Sequence, residues 1–185
     1  MTNYRPKTIL FDQDGVLANY SKAHLEAIAR AFPELPKLDG CKIQHFETGD
    51  HFPIAYRAKI DALALRPGFF LNLEPIAGAV EALKSLLAEG YDVRICTAPK
   101  KIFDNCVAEK FAWVKKHLGQ EFVERIVLTR DKTLVRGDIL VDDKPEISGV
   151  CTPAWTHVLY DQPYNRHITD KSRLTWANHK EVLGL

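Results

Sequence analysis

Apolar and polar positions along the chain fall into short blocks that predict strands and helices in alternation. Residues 7–11 are an apolar run that stops at the polar loop Asp12-Gln13-Asp14-Gly15, the pattern of a buried strand entering a loop. Leu25, Ile28, Ala29 and Phe32 then recur at helical spacing, with Ser21 as the expected N-cap and Pro33 and Pro36 ending the run. Residues 38–50 have weak periodicity, 53–65 suit a second helix, and 66–70 (with Pro67 and Gly68) make a turn. Val80, Leu83, Leu86 and Leu87 mark an amphipathic helix closed by Gly90 at C′. A strand over 93–96 follows, then a helix over 104–118 with Val107, Phe111 and Val114 expected to face inward and Gly119 ending it. Strands are predicted over 125–129, over 139–141 (ending at Asp142 and Asp143) and over 157–160, with a last helix over 173–183.

Strands alternating with helices predict an α/β fold, a Rossmann-like three-layer arrangement around a parallel sheet. In such sheets ligands bind at the carboxyl ends of the strands. The polar residues there are Asp12 and Asp14, Thr97, Lys132, and Asp142 with Asp143. Residues 20–70 interrupt the alternation and are expected to form a mostly helical cap over those strand ends. The catalytic core would then comprise 1–19 and 71–185.

Composition narrows the functional classes. The 185 residues carry a formal net charge of +1, so no global field favours a nucleic acid polymer or an anionic membrane, and an anionic ligand needs a local site. No apolar run approaches the ~20 residues of a membrane span, and the start of the chain lacks the apolar stretch of a secretory signal. Cys41, Cys96, Cys106 and Cys151 form no CxxC and are expected to be reduced thiols, which suits a cytoplasmic protein. Phe69, Phe70, Trp113, Trp155 and Trp176 are expected in the core or at the cap hinge.

Two carboxylates one residue apart in a tight loop repel each other unless a hard cation lies between them and the ligand. Magnesium, which takes oxygen ligands, suits that position, and Asp142-Asp143 can complete the coordination. One carboxylate can then attack phosphorus while the other donates a proton to the leaving oxygen. Thr97 and Lys132 each say little alone, since a threonine also forms turns and a loop lysine is usually solvated. Together they offer a hydroxyl and a cation for phosphate, and this conjunction points to a phosphatase. No GxxxxGK[ST], GxGxxG or GxSxG pattern supports a rival chemistry. The seven histidines show no HxH or HExxH spacing and are read as structural or surface residues.

With these residues in place the chain resembles the haloacid dehalogenase superfamily. Its DxDG, Thr, Lys and acidic-pair motifs match Asp12 to Gly15, Thr97, Lys132 and Asp142-Asp143. Residues 11–18, 67–70, 73–79, 95–99, 110–114, 125–133, 137–144 and 152–159 further resemble the 5′(3′)-deoxyribonucleotidases. The resemblance implies a magnesium-dependent phosphatase acting on deoxyribonucleoside monophosphates, dTMP or dUMP first, through a phosphoaspartate. It implies Asp12 as nucleophile and Asp14 as general acid and base. Magnesium would be held by Asp12, the backbone carbonyl of Asp14, and Asp143, with Asp142 in support. Thr97, Lys132 and Lys101 would bind phosphate, Tyr20 and Phe46 would stack on the base, and Arg130 matches a family arginine near the site. Ala98 stands where the family usually has Ser, Asn19 where it has Asp, and residues 38–65 align poorly. The altered cap keeps open another small phosphate monoester, such as a sugar phosphate or modified nucleotide, and a non-catalytic nucleotide-binding module is the remaining alternative. A homodimer is compatible with the sequence, which does not fix oligomeric state.

Overall fold

A computed structural model of the chain describes residues 6–100 and 105–185. They form a six-stranded parallel sheet in the order β3-β2-β1-β4-β5-β6. The strands are β1 (Thr8–Phe11), β2 (Asp92–Thr97), β3 (Ile126–Leu128), β4 (Ile139–Asp142), β5 (Thr156–Tyr160) and β6 (Arg173–Leu174). β1 lies between β2 and β4, with Phe11 in register with Ile95 and Val141. All four of its residues are buried, which is why the strand reads as a continuous apolar run and not as an alternation.

Alternate residues of the central strands face opposite sides of the sheet. Ile9, Phe11, Val93, Ile95 and Val141 pack in the larger core against α3 (Ala79–Ala88), α4 (Cys106–His117) and α6 (His179–Leu183), through Leu83, Leu86, Trp113, Val114 and Leu183. The short α5 (Gln120–Val123) adds Phe122. Leu10, Cys96 and Leu140 face the other way, onto Trp155, Val127, Val135 and Ile147. The α/β, Rossmann-like expectation holds.

Between β1 and β2 lie α1 (Tyr20–Ala31), two 3-10 turns (Gly40–Lys42 and Thr48–His51) and α2 (Ile54–Leu63). Ile28, Leu35, Phe52, Ile60 and Leu63 form an apolar cluster of their own there. The weak periodicity of residues 38–50 reflects the 3-10 turns, which are too short to repeat a buried face.

Three local expectations are corrected. The N-cap of α1 is Asn19, whose side chain accepts the N–H of Lys22, so Ser21 lies inside the first turn. On α4 the buried face carries Cys106, Glu109, Lys110, Trp113 and Val114, while Val107 is exposed and Phe111 half-buried. Two paired charges rotated that face inward. Glu109 accepts the N–H groups of Gly68 (2.6 Å), Phe70 (3.0 Å) and Leu71 (3.4 Å), and Lys110 is paired as described below. Arg173 and Leu174 pair with β5 instead of opening a helix. The Arg173 guanidinium reaches Asp161, Asn165 and the carbonyl of Ile168, and the helix is confined to α6.

The three tryptophans fasten loops to the core by donating their ring N–H to backbone carbonyls. Trp113 reaches Leu73 (2.8 Å), Trp176 reaches Val16 (3.0 Å) and Trp155 reaches Lys132 (3.2 Å). The latter two hold the segments after β1 and β3. Cys41, Cys96, Cys106 and Cys151 are all free thiols. Among the described residues no helix is long and apolar enough to cross a membrane.

His157, on β5, has its Nδ1 3.2 Å from Lys171 Nζ, so the ring accepts and the ammonium donates. Burial, with the Lys171 charge adding to it, pushes the imidazole down from 6.5 to about 4. A folded value below the unfolded one means that this contribution to stability is complete above pH 6.5 and is lost as pH falls towards 4. Thermal melts of the wild type and His157→Gln are expected to diverge over that window, the wild type losing more stability on acidification. Parallel melting curves would remove His157 as the acid-sensitive group.

Candidate active site

β1 delivers Asp12 to the carboxyl edge of the sheet, where its N–H donates to Val141 O at 2.9 Å. The chain then doubles back. Leu17 and Ala18 donate to Gln13 O, Gly15 donates to Ala18 O, and Val16, Leu17 and Ala18 are buried beneath the loop. Gly15 sits at φ +76°, and a Cβ there would overlap the carboxylate of Asp143. Only glycine satisfies both the left-handed conformation and that approach.

The side chains around this loop interlock. Asp12 Oδ1 accepts the N–H of Gln13 at 2.8 Å and lies 3.0 Å from Lys132 Nζ. Lys132 Nζ also donates to Asp142 Oδ2 at 2.5 Å, and Asp142 Oδ1 accepts the N–H of Lys144 at 2.9 Å. The backbone of Lys132 is fixed from below, because Asp131 accepts from the N–H and hydroxyl of Thr133 and the N–H of Val150. Asp143 accepts the hydroxyl of Tyr164, and Asn165 Nδ2 donates to the Asp143 carbonyl at 2.8 Å. Gln162 Nε2 donates to Gly15 O at 2.7 Å, joining the segment after β5 to the loop after β1.

A second cluster is built on α4. Lys110, 1% exposed, donates from Nζ to Asp14 Oδ2 at 2.6 Å and to Thr97 Oγ1 at 2.9 Å. Asp14 Oδ1 is buried and has no hydrogen-bond partner among the described residues.

Burial shapes the titration of these groups. It pushes the Asp14 carboxyl up, against the pull of Lys110 and with a further push from Asp12. Asp143 is driven well above the carboxylate range by burial, then by Asp142 and Asp12 beside it. For Lys132 burial works against the charge, but Asp12 and Asp142 outweigh it and the ammonium is held above its usual range.

One carboxylate oxygen each from Asp12, Asp142 and Asp143 lie within 4.8 Å of one another. Three acids this close, with Lys132 on two of them and, among the described residues, the Tyr164 hydroxyl on the Asp143 carboxylate, fit a hard cation with oxygen ligands. Asp14 directs its carboxylate to Lys110 and not into that cluster.

A cavity of about 260 Å³ opens over these groups. Asp12, Asp14, Thr97, Lys132, Asp142 and Asp143 line it, together with Tyr20, Phe46 and Arg130, so the structure brings these sequence-predicted residues to one place. Phe46 is 40% exposed and meets Tyr164 edge-on at 5.6 Å. Ala98 also lines the cavity. Lys101 lies outside the described residues. Its neighbour Lys100 lines the cavity, with Nζ 5.7 Å from the centre of the Tyr20 ring.

Sequence reasoning missed Lys110, Tyr164, Gln162 and Asn165. A signal for Lys110 does exist. With Glu109 it falls on the face marked by Cys106, Trp113 and Val114, at the 3- and 4-residue steps that bury a helix side. Charges on such a face need partners.

The parallel sheet, the acidic strand ends and the overlying cavity define a haloacid dehalogenase-like hydrolase. A structure of such a hydrolase from Deinococcus radiodurans, with bound phosphate and sodium, matches 97% of this chain and 95% of its own with a TM-score of 0.63 at 18% identity. The chain belongs to the family described as 5′ nucleotidase, deoxy (pyrimidine), cytosolic type C protein, which matches residues 5–184. It is a phosphoric monoester hydrolase. The human 5′(3′)-deoxyribonucleotidase of cytosolic type is 40% identical over 193 residues, covering 97% of this chain and 94% of its own. A Bordetella bronchiseptica protein provisionally named a 5′(3′)-deoxyribonucleotidase is 46% identical over 176 residues, 95% of each chain.

Replacing Lys110 by Met keeps the length of the side chain and strands Asp14 without its cation. A buried pair broken on one side typically costs several kcal/mol. We expect Lys110→Met to lower unfolding free energy by about 3 kcal/mol in denaturant titration, and to slow turnover by releasing Asp14 and Thr97. Unchanged stability and turnover would show that the pair carries neither burden.

Proposed function

We propose that the protein is a magnesium-dependent phosphatase of deoxyribonucleoside monophosphates, with dTMP and dUMP the leading substrates, working through a phosphoaspartate on Asp12. The observation that carries this reading is the meeting of Asp12, Asp14, Thr97, Lys132 and the Asp142-Asp143 pair under one cavity walled by Tyr20, Phe46 and Tyr164. The names of the relatives support the substrate class. Residues 20–70 act as a cap that supplies the nucleoside side of the site. The reaction runs in the cytoplasm on a small phosphate monoester.

In this reading Thr97 and Lys132 receive the phosphate, and Arg130 and Lys100 add positive charge at the rim. The Asp12 carboxylate, oriented by Lys132 and the Gln13 N–H, forms a bond to phosphorus as the ester P–O bond breaks. Asp14 gives its proton to the departing nucleoside oxygen. It then takes a proton from a water whose oxygen attacks the aspartyl phosphate, so that Asp12 is regenerated and inorganic phosphate leaves. Burial, which favours the protonated form of Asp14, suits the first step, and Lys110 beside it suits the second. Asp12, Asp143 and the Asp14 carbonyl would hold magnesium, with Asp142 steadying Lys132. When bound, the ion neutralises charge on the phosphoryl oxygens.

Asp12→Asn is expected to cut turnover by roughly 10⁴-fold or more while leaving the fold intact. Near-normal phosphate release by that variant would end the phosphoaspartate mechanism. The substrate class is tested by phosphate release from dTMP, dUMP, dGMP, UMP and several sugar phosphates, with magnesium and with EDTA. A magnesium-dependent preference for deoxynucleotides is expected, and a preference for sugar phosphates would replace this reading.

The metal site has a readout independent of turnover. Magnesium at about 100 times its Kd should stabilise the wild type by about 2.7 kcal/mol, visible as a rise in Tm. The rise should vanish in Asp143→Asn. An equal rise in both proteins would place the ion elsewhere.

A further inference from the structure

Of the four acids at the carboxyl edge of the sheet, Asp143 is held differently from the rest. Asp12 and Asp142 share the ammonium of Lys132, and Asp14 takes that of Lys110. Among the described residues no lysine or arginine pairs with Asp143, and its Oδ2 accepts the hydroxyl of Tyr164. The same oxygen lies against Gly15, where a Cβ would overlap it. One oxygen of this carboxylate is also within 4.8 Å of an oxygen from each of Asp12 and Asp142. A carboxylate gripped in this way cannot turn about its Cβ–Cγ bond without losing the hydroxyl.

Tyr164 is itself fastened. It is 3% exposed, and its ring meets Phe46 edge-on at 5.6 Å. It sits in a 3-10 turn (Pro163–Asn165) that follows β5. Asn165 pins that turn. Its Nδ2 donates to the carbonyls of Asp143 and Tyr160, both at 2.8 Å, and its Oδ1 accepts from Arg173 at 2.6 Å. Adjacent residues of one turn therefore fix Asp143 at its backbone and at its side chain.

The chemistry of the donor matters as much as its place. An ammonium on Asp143 would cancel its charge and compete with a bound cation. A tyrosine hydroxyl carries no charge, so it orients the carboxylate and leaves the charge for the cation. Hydrogen-bond partners of metal-ligating groups commonly act in this way, setting the angle at which the ligand meets the ion.

We propose that Tyr164 is a positioning residue, whose hydroxyl fixes the Asp143 carboxylate in the orientation that takes up a divalent cation with Asp12. This rests on the magnesium reading above and deepens it. The hydroxyl bond persists when the cation is bound and does not give way to it.

The test is Tyr164→Phe, which removes one oxygen and leaves the ring against Phe46. Magnesium chloride is titrated calorimetrically into metal-free, substrate-free wild type and variant, with Tm in EDTA recorded as the check on folding. The variant is expected to bind magnesium about 10- to 100-fold more weakly, the usual cost of removing the hydrogen-bond partner of a metal ligand. Excess magnesium should then restore most of its phosphate release from dUMP. If the variant is too unstable for calorimetry, the magnesium midpoint of that release gives the same comparison.

Equal affinities in the two proteins would reduce Tyr164 to packing and overturn the proposal. Tighter binding by the variant would overturn it too, since the hydroxyl would then be a competitor of the ion. In both cases the wild type still binds magnesium and the reading of the metal site stands. A wild type that binds no magnesium would overturn that reading, and the role of Tyr164 with it.

Discussion

The carboxyl edge of the sheet is governed by the balance of charge withdrawn from water. Asp12, Asp14, Asp142 and Asp143 converge there, and among the described residues the ammonium groups paired with them are those of Lys110 and Lys132. Ionised groups in a low-dielectric site must be paired or must give up their charge. Lys132 bridges Asp12 and Asp142, and Lys110 takes Asp14, while Asp143 meets a tyrosine hydroxyl and burial drives its carboxyl well above the carboxylate range. The divalent cation proposed for this edge matches that shortfall. It would let all the acids ionise together, which burial alone forbids.

The same balance divides the work between the two lysines. Lys132 comes from a tight 3-10 turn (Lys132–Leu134) whose backbone is held by Asp131 and by the Trp155 ring N–H. It is therefore a fixed charge beside the proposed nucleophile. Lys110 comes from the buried face of α4, and its neighbour Glu109 binds the N–H groups of residues 68, 70 and 71, where the inserted segment returns to the sheet. Adjacent residues of one helix thus tie that return and Asp14 to the same rigid element. A shift of α4 would be felt at both.

Much of this was legible in the sequence, for identifiable reasons. Strands β1 and β4 are buried throughout and read as apolar runs, and the acids sit where those two runs stop; β2 is fully buried from Ile95 to Thr97. The cavity-lining residues Asp12, Asp14, Thr97, Lys132, Asp142 and Asp143 follow from that pattern and from the family resemblance. What escaped depended on contacts between distant parts of the chain. Arg173 and Leu174 make a two-residue strand, too short to show a period, which exists because Arg173 finds Asp161, Asn165 and the Ile168 carbonyl. Tyr164 and Asn165 lie in a polar turn, and nothing local announces that Asp143 will be their partner. Val107 was expected to face inward because it is apolar, yet paired charges on Glu109 and Lys110 took the buried face.

Gly15 joins the local and the distant constraints. The loop after β1 must turn tightly to aim Asp12 and Asp14 at one space, and that alone asks for a left-handed residue. The loop after β4 must bring Asp143 against the same backbone, and that asks for a residue with no Cβ. Asparagine can meet the first demand but not the second. The glycine of the DxDG motif is thus fixed by an acid more than a hundred residues away, and the first motif cannot vary independently of the last. Gln162, donating to the Gly15 carbonyl, closes the arrangement from a third strand end. The charge balance at this edge is consequently a property of the whole sheet, since its groups are placed by the ends of β1, β3 and β4 and by α4, and none could be moved without disturbing the packing of another.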